Sequence, residues 1–178
     1  MWFHKQFCFS FILVSFLLFG FGLPKNIQKR VNKEIEKTFE SSTIEMIPII
    51  VPEEINRKLL TKITGANFFT LSEGSELLGY AFVDNAPSKT AKFDYLVIFD
   101  QDLKVIHSKV LVYREDYGGE IGSKRWLKQF LGKTGNDRVS YDNNIDAIAG
   151  ATISVRSMTL SMDKLFRTIG QLQENKIL

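Results

Sequence analysis

The chain has 178 residues, and 23 Lys+Arg against 20 Asp+Glu leave a formal net charge of +3. Such a balance gives no reason to expect nucleic acid or an acidic polymer as partner. The single cysteine, Cys8, excludes an intramolecular disulfide and a four-thiolate metal site, and two histidines, His4 and His107, are too few for a multi-histidine metal centre.

Hydrophobicity is unevenly spread. Seven of the fifteen phenylalanines fall in the first 21 residues, and no charged side chain occurs from Gln6 to Pro24. Lys5 precedes this run, and Lys25, Lys29, Arg30 and Lys33 follow it. As a helix the run would rise about 28 Å, barely the ~30 Å of a hydrocarbon core. A positive start, an apolar stretch and the small residues Gly20 and Gly22 near its end form a secretory signal pattern over residues 1–23. A retained N-terminal membrane anchor is a second reading, although the basic cluster beyond the run argues against a simple N-inside orientation. A buried hydrophobic helix is the third, and this much phenylalanine would require it to be surrounded by core. Cys8 lies too early to be a lipid-modified cysteine. The first two readings export residues 24–178, to the periplasm or to the outer face of the cytoplasmic membrane, as one domain of roughly 155 residues. That part contains no cysteine, which suits an oxidising compartment.

Along the exported part, Ile27, Val31, Ile35 and Phe39 recur every four residues and predict a helix from about Asn26 to Ser41. The stretch TIEMIPIIV reads as a short extended segment. Pro52 at the first helical position, with Glu53 and Glu54 in the first turn, predicts a helix to about Leu60. Four strand-like runs follow: NFFTLS, LLGYAFVD, KFDYLVIFD and LKVIHSKVLVY. Glu73-Gly74-Ser75-Glu76 and Gln101-Asp102 read as hairpin connections. In the third run both alternating faces are apolar, as a central strand requires. A glycine-bearing loop, REDYGGEIGSK, then leads to a short helix carrying Trp126, Leu127 and Phe130.

The last element is the clearest. Val155, Met158, Met162, Leu165, Phe166, Ile169 and Leu172 mark a long amphipathic helix. Ser154 is its expected N-cap, with Thr152 as the alternative. Before it stands Asp146-Ala147-Ile148-Ala149-Gly150-Ala151-Thr152-Ile153-Ser154. Gly150 permits a positive φ, the alanines allow close approach to the backbone, and a helix N-terminus suits a phosphate. The fold class is α+β: an antiparallel sheet flanked by helices, with the C-terminal helix starting at this segment.

DAIAGATIS resembles the attachment motif D-x-x-[ST]-G-A-T-x-[ST] of covalently flavinylated FMN-binding domains, found in the C subunit of the sodium-pumping NADH:quinone reductase and the G subunit of the Rnf complex. Ala149 stands where that motif usually has serine or threonine. Glu115-Asp116-Tyr117-Gly118-Gly119-Glu120-Ile121-Gly122 followed by Trp126 and Phe130 is similar to the family's E-T-P-G-x-G loop and W-x-x-x-F. Here Glu115 matches, the threonine and proline are replaced, and the glycine register is ambiguous. The resemblance spans roughly residues 67–170.

The resemblance implies FMN esterified through its phosphate to Thr152 by a magnesium-dependent flavin transferase that uses FAD. It also implies a role in carrying electrons between membrane or periplasmic redox partners. Gly150 and Ala151 would shape the acceptor loop, and Gly119 and Gly122 would bring backbone amides to the flavin ring. Asp146 is read either as orienting the acceptor or as a turn residue, Ser154 as a phosphate contact or a cap, and Trp126 as core or as a ring contact. Lys124, Arg125 and Arg156 are either surface charges or anion contacts, and one of Tyr113 to Tyr117 is a wall of the pocket. No acid–base pair beyond the flavin loop suggests an enzyme with its own substrate. A flavin-dependent reductase of a small extracytoplasmic acceptor and a non-flavin binding module of the same fold are the rival readings.

Overall fold

The computed structural model describes residues 22–178, so the signal or anchor reading lies outside the described residues. No helix among the described residues is long and apolar enough to cross a membrane.

Helix α1 spans Lys25–Phe39 and buries the stripe Ile27, Val31 and Ile35. It ends where Glu40 turns into the left-handed region and donates its amide to the Glu36 carbonyl. Strand β1 (Glu45–Pro48) follows, then a single helical turn α2 (Glu53–Asn56). Two expectations fail at α2. Pro52 precedes the helix as its cap, with its carbonyl accepting from the Ile55 and Asn56 amides, and the helix stops well short of Leu60. The cause is local. The Asn56 side chain accepts from the Ile63 amide at 2.9 Å and donates to the Ile63 carbonyl at 2.7 Å, offering the backbone a partner outside the helix. Lys62 then occupies the carbonyls of Asn56, Arg57 and Leu59.

Strands β2 (Phe68–Glu73), β3 (Glu76–Pro87), β4 (Lys92–Phe99) and β5 (Val105–Val112) complete an antiparallel meander in the order β1-β2-β3-β4-β5. The β2–β3 hairpin closes through Gly74-Ser75 between the paired residues Glu73 and Glu76, as expected. The β4–β5 connection is wider than a two-residue turn. Asp100 Oδ1 accepts from the amides of Asp102 and Lys104, so Leu103 enters the turn instead of starting the strand.

Helix α4 runs from Thr152 to Glu174 and covers the opposite sheet face from α1. The alternation in β4 explains the three layers. Phe93, Tyr95, Val97 and Phe99 join the core under α4, whereas Leu96 and Ile98 join the cluster under α1. All seven apolar positions read from the sequence of α4 are buried. Each contributes about 1.5–3 kcal/mol of transfer free energy, enough to fix the helix axis and hence its first turn. Between β5 and α4 lie a 3₁₀ turn (Gly119–Gly122), the short helix α3 (Lys124–Leu127) and a second 3₁₀ turn (Lys128–Phe130).

Candidate functional site

At one end of the sheet, three segments enclose a cleft of about 650 Å³, within the range of small-molecule sites. The β3–β4 turn supplies Lys89 and Thr90. The chain leaving β5 supplies Tyr113, Glu115, Asp116 and Tyr117, and the start of α4 supplies residues 150–154.

The α4 terminus has no side-chain cap, which corrects the expectation for Ser154 and for Thr152. Ala151 holds the cap position, and Thr152 is already helical. Ser154 is buried and unable to turn back, because its Oγ is engaged 3.0 Å from the Tyr113 hydroxyl. Among the described residues nothing accepts from the amides of Thr152, Ile153 and Ser154. The exposed Thr152 side chain therefore stands beside unpaired helix donors in the wall of the cleft. Gly150 takes φ +79 with open space around it, so the chain reaches this turn in a conformation that a side chain would resist.

Glu115 lines the cleft with its carboxylate already engaged. Its Oε1 accepts from the Ser88 hydroxyl at 2.6 Å and from the amides of Thr90 (2.7 Å) and Ala91 (3.1 Å), while Oε2 accepts from the Thr90 hydroxyl at 2.8 Å. The Ser88 hydroxyl first, then the Thr90 amide and hydroxyl, hold its carboxyl down at about 2. An ionised Glu115 thus fastens the floor of the cleft to the β3–β4 turn. Ser157 of α4 holds the same turn from the other side by donating to the Pro87 carbonyl.

Gly118 is the glycine that meets the start of α4. It takes φ +82, and a Cβ there would lie 2.9 Å from the Ala151 Cβ and 3.0 Å from the Tyr113 hydroxyl. Gly119 faces open space, Gly122 faces Val110, and neither lines the cleft.

Trp126 and Asp146 stand behind the site. Trp126 is buried, packs edge-on against Phe130 at 5.3 Å, and donates Nε1 to the Asp146 carbonyl at 2.8 Å. Gln129 accepts from the Asp146 amide at 2.8 Å. The backbone entering the α4 turn is therefore pinned from the core, while the Asp146 side chain faces a second cleft shared with Glu120, Ser123 and Arg125. Arg156 stacks over the Tyr141 ring, 4.6 Å from its centroid, outside the main cleft. Lys124 lies near His107. Among the described residues the cation lining the main cleft is Lys89, which sequence reading missed, as it missed Ser88, Thr90 and Gly118. A polar turn between two strongly apolar strands was the one signal available.

The residues present fit a flavin phosphate: a hydroxyl and free amides at the start of α4, beside a turn open to close approach, with Lys89 of the β3–β4 turn in the same cleft. No curated protein matches the chain. Residues 90–166 match the family model described as FMN-binding domain, a stretch from the turn before β4 to Phe166 of α4 that includes the main cleft except Lys89. That match supports a flavin-binding role for this stretch of the chain.

Proposed function

We propose that the chain is an exported flavoprotein that carries electrons through FMN joined by a phosphoester bond to Thr152. The observation that carries this reading is the exposed Thr152 hydroxyl beside the unpaired α4 amides, in the cleft of a domain matched to the FMN-binding family. Bound FMN supplies one- or two-electron redox chemistry at its ring.

The chain's own residues hold and orient. The α4 amides and Lys89 would hold the phosphate, the Glu115 clamp and the Trp126–Asp146 bond fix the two walls, and Tyr113 holds the first turn through Ser154. A threonine hydroxyl is a weak nucleophile, and the activating base and magnesium belong to the flavin transferase. In the attachment, Thr152 Oγ forms a bond to the FMN-side phosphorus of FAD. The pyrophosphate bond breaks, AMP leaves with its electron pair, and the hydroxyl proton passes to the transferase base. Outside the cytoplasm such a tether prevents loss of a cofactor that is not made there.

The test is the intact mass of the chain after co-expression with a flavin transferase, for wild type and Thr152→Ala. Wild type is expected to gain one FMN less one water, and Thr152→Ala to gain nothing. Unmodified wild type, beside a control substrate that is modified, refutes the covalent reading. The same spectrum reports whether residues 1–23 are removed.

A further inference from the structure

We propose that Tyr117 is the platform on which the isoalloxazine ring of the tethered flavin stacks, an inference that rests on the FMN reading above.

Tyr117 is 83% exposed, the most exposed of the large hydrophobic side chains among the described residues. It lines the cleft that also contains Thr152. Leaving a ring of this size in water forgoes its burial, and a loop free to move would fold it inward. This loop is not free. On one side of Tyr117, the four hydrogen bonds of Glu115 fix the chain to the β3–β4 turn. On the other side, Gly118 lies against Ala151 so closely that a Cβ would meet it at 2.9 Å. The two anchors leave only Asp116 and Tyr117 between them. The ring is thereby presented in the same cleft as the acceptor hydroxyl instead of packing into the core.

The core supplies its own aromatic contacts without it. Phe93, Tyr95 and Tyr113 already form a chain of ring contacts behind the cleft. A planar, electron-poor heterocycle tethered at Thr152 is the group that would cover the exposed face. Offset stacking on an electron-rich phenol is favourable beyond the area it buries.

The experiment uses the full chain, flavinylated by co-expression, as wild type, Tyr117→Ala and Tyr117→Phe. Intact mass comes first and is expected to show the same FMN addition in all three, because Tyr117 takes no part in bond formation. Quenching of flavin fluorescence by iodide and the visible circular dichroism of the flavin then report the ring's surroundings. Tyr117→Ala is expected to quench several-fold more steeply and to lose most of the induced dichroism, while Tyr117→Phe retains both signatures. Without the flavin the exposed Tyr117 side chain is not needed for folding, so the thermal melts of the three unflavinylated proteins should coincide. Full FMN addition with wild-type quenching and dichroism in Tyr117→Ala would overturn the stacking alone. Wild type without added mass would overturn the FMN reading, and stacking with it, before any spectrum is taken.

Discussion

Substituting Gly118 by alanine isolates the contact that joins the glycine loop to the start of α4. Two costs add. A non-glycine residue at φ +82 is strained by roughly 1–2 kcal/mol. The new methyl would also stand 2.9 Å from the Ala151 Cβ, and forcing such a contact apart costs about 1–3 kcal/mol. The sum is about 2–5 kcal/mol. At roughly 2–4 °C per kcal/mol for a domain of this size, the melting temperature should fall by about 4–20 °C. Urea titration followed by tryptophan fluorescence measures it, since Trp126 is buried behind the site. Two companions make the number specific. Gly119→Ala adds a methyl to open space at ordinary φ and should change stability by less than about 1 kcal/mol. The double variant Gly118→Ala with Ala151→Gly removes the contact with the Ala151 methyl and keeps the strain and the approach to the Tyr113 hydroxyl, so it should recover the part due to that methyl. Equal losses in Gly118→Ala and Gly119→Ala, or no coupling between positions 118 and 151, would refute the close approach.

Other consequences are independent of that contact. Because the folded-state pKa of Glu115 is depressed to about 2, its contribution to stability is fully present above the ordinary carboxylate range and is lost as pH falls toward 2. Acid denaturation should therefore show the stability gap between wild type and Glu115→Gln closing over that window, and a pH-independent gap would contradict the clamp. Tyr113→Phe strands the buried Ser154 hydroxyl and should cost about 1–2 kcal/mol in chemical denaturation, an effect absent if the 3.0 Å bond does not form in solution.

Much of the fold was legible because burial is periodic. Every apolar position assigned to α4 is buried, and the doubly apolar β4 lies between two strands with a helix layer on each face. What escaped was set by residues distant in sequence. Glu115 could be matched to a motif, but its partners Ser88, Thr90 and Ala91 lie 24–27 residues earlier, on a turn that carries no motif. Ser154 read as a cap because hydroxyls usually cap helices. Tyr113, 41 positions away, claims it instead and leaves the α4 amides unpaired. The overlong helix after Pro52 failed for a nearer reason, since Asn56 prefers the Ile63 backbone to the helix it ends. Periodicity reports which face is buried; it does not report which polar group reaches a helix end first.

The charge in the cleft bears on why a tether would be used at all. Its charged side chains, among the described residues, are Lys89, Glu115 and Asp116. Free FMN brings a phosphate monoester of about −1.5 to −2, and esterification to Thr152 leaves a diester of about −1. Such a bond would remove part of the charge that the two carboxylates oppose, and the α4 amides and Lys89 would hold what remains. Without the bond the phosphate should help little. Titrated calorimetrically into Thr152→Ala protein at low ionic strength, FMN is expected to bind no more than about tenfold tighter than riboflavin, a difference within 1.4 kcal/mol. A preference for FMN of a hundredfold or more would mean that the helix end and Lys89 dominate the carboxylates. The cleft would then be a phosphate site in its own right, and its charge would give no reason for the ester.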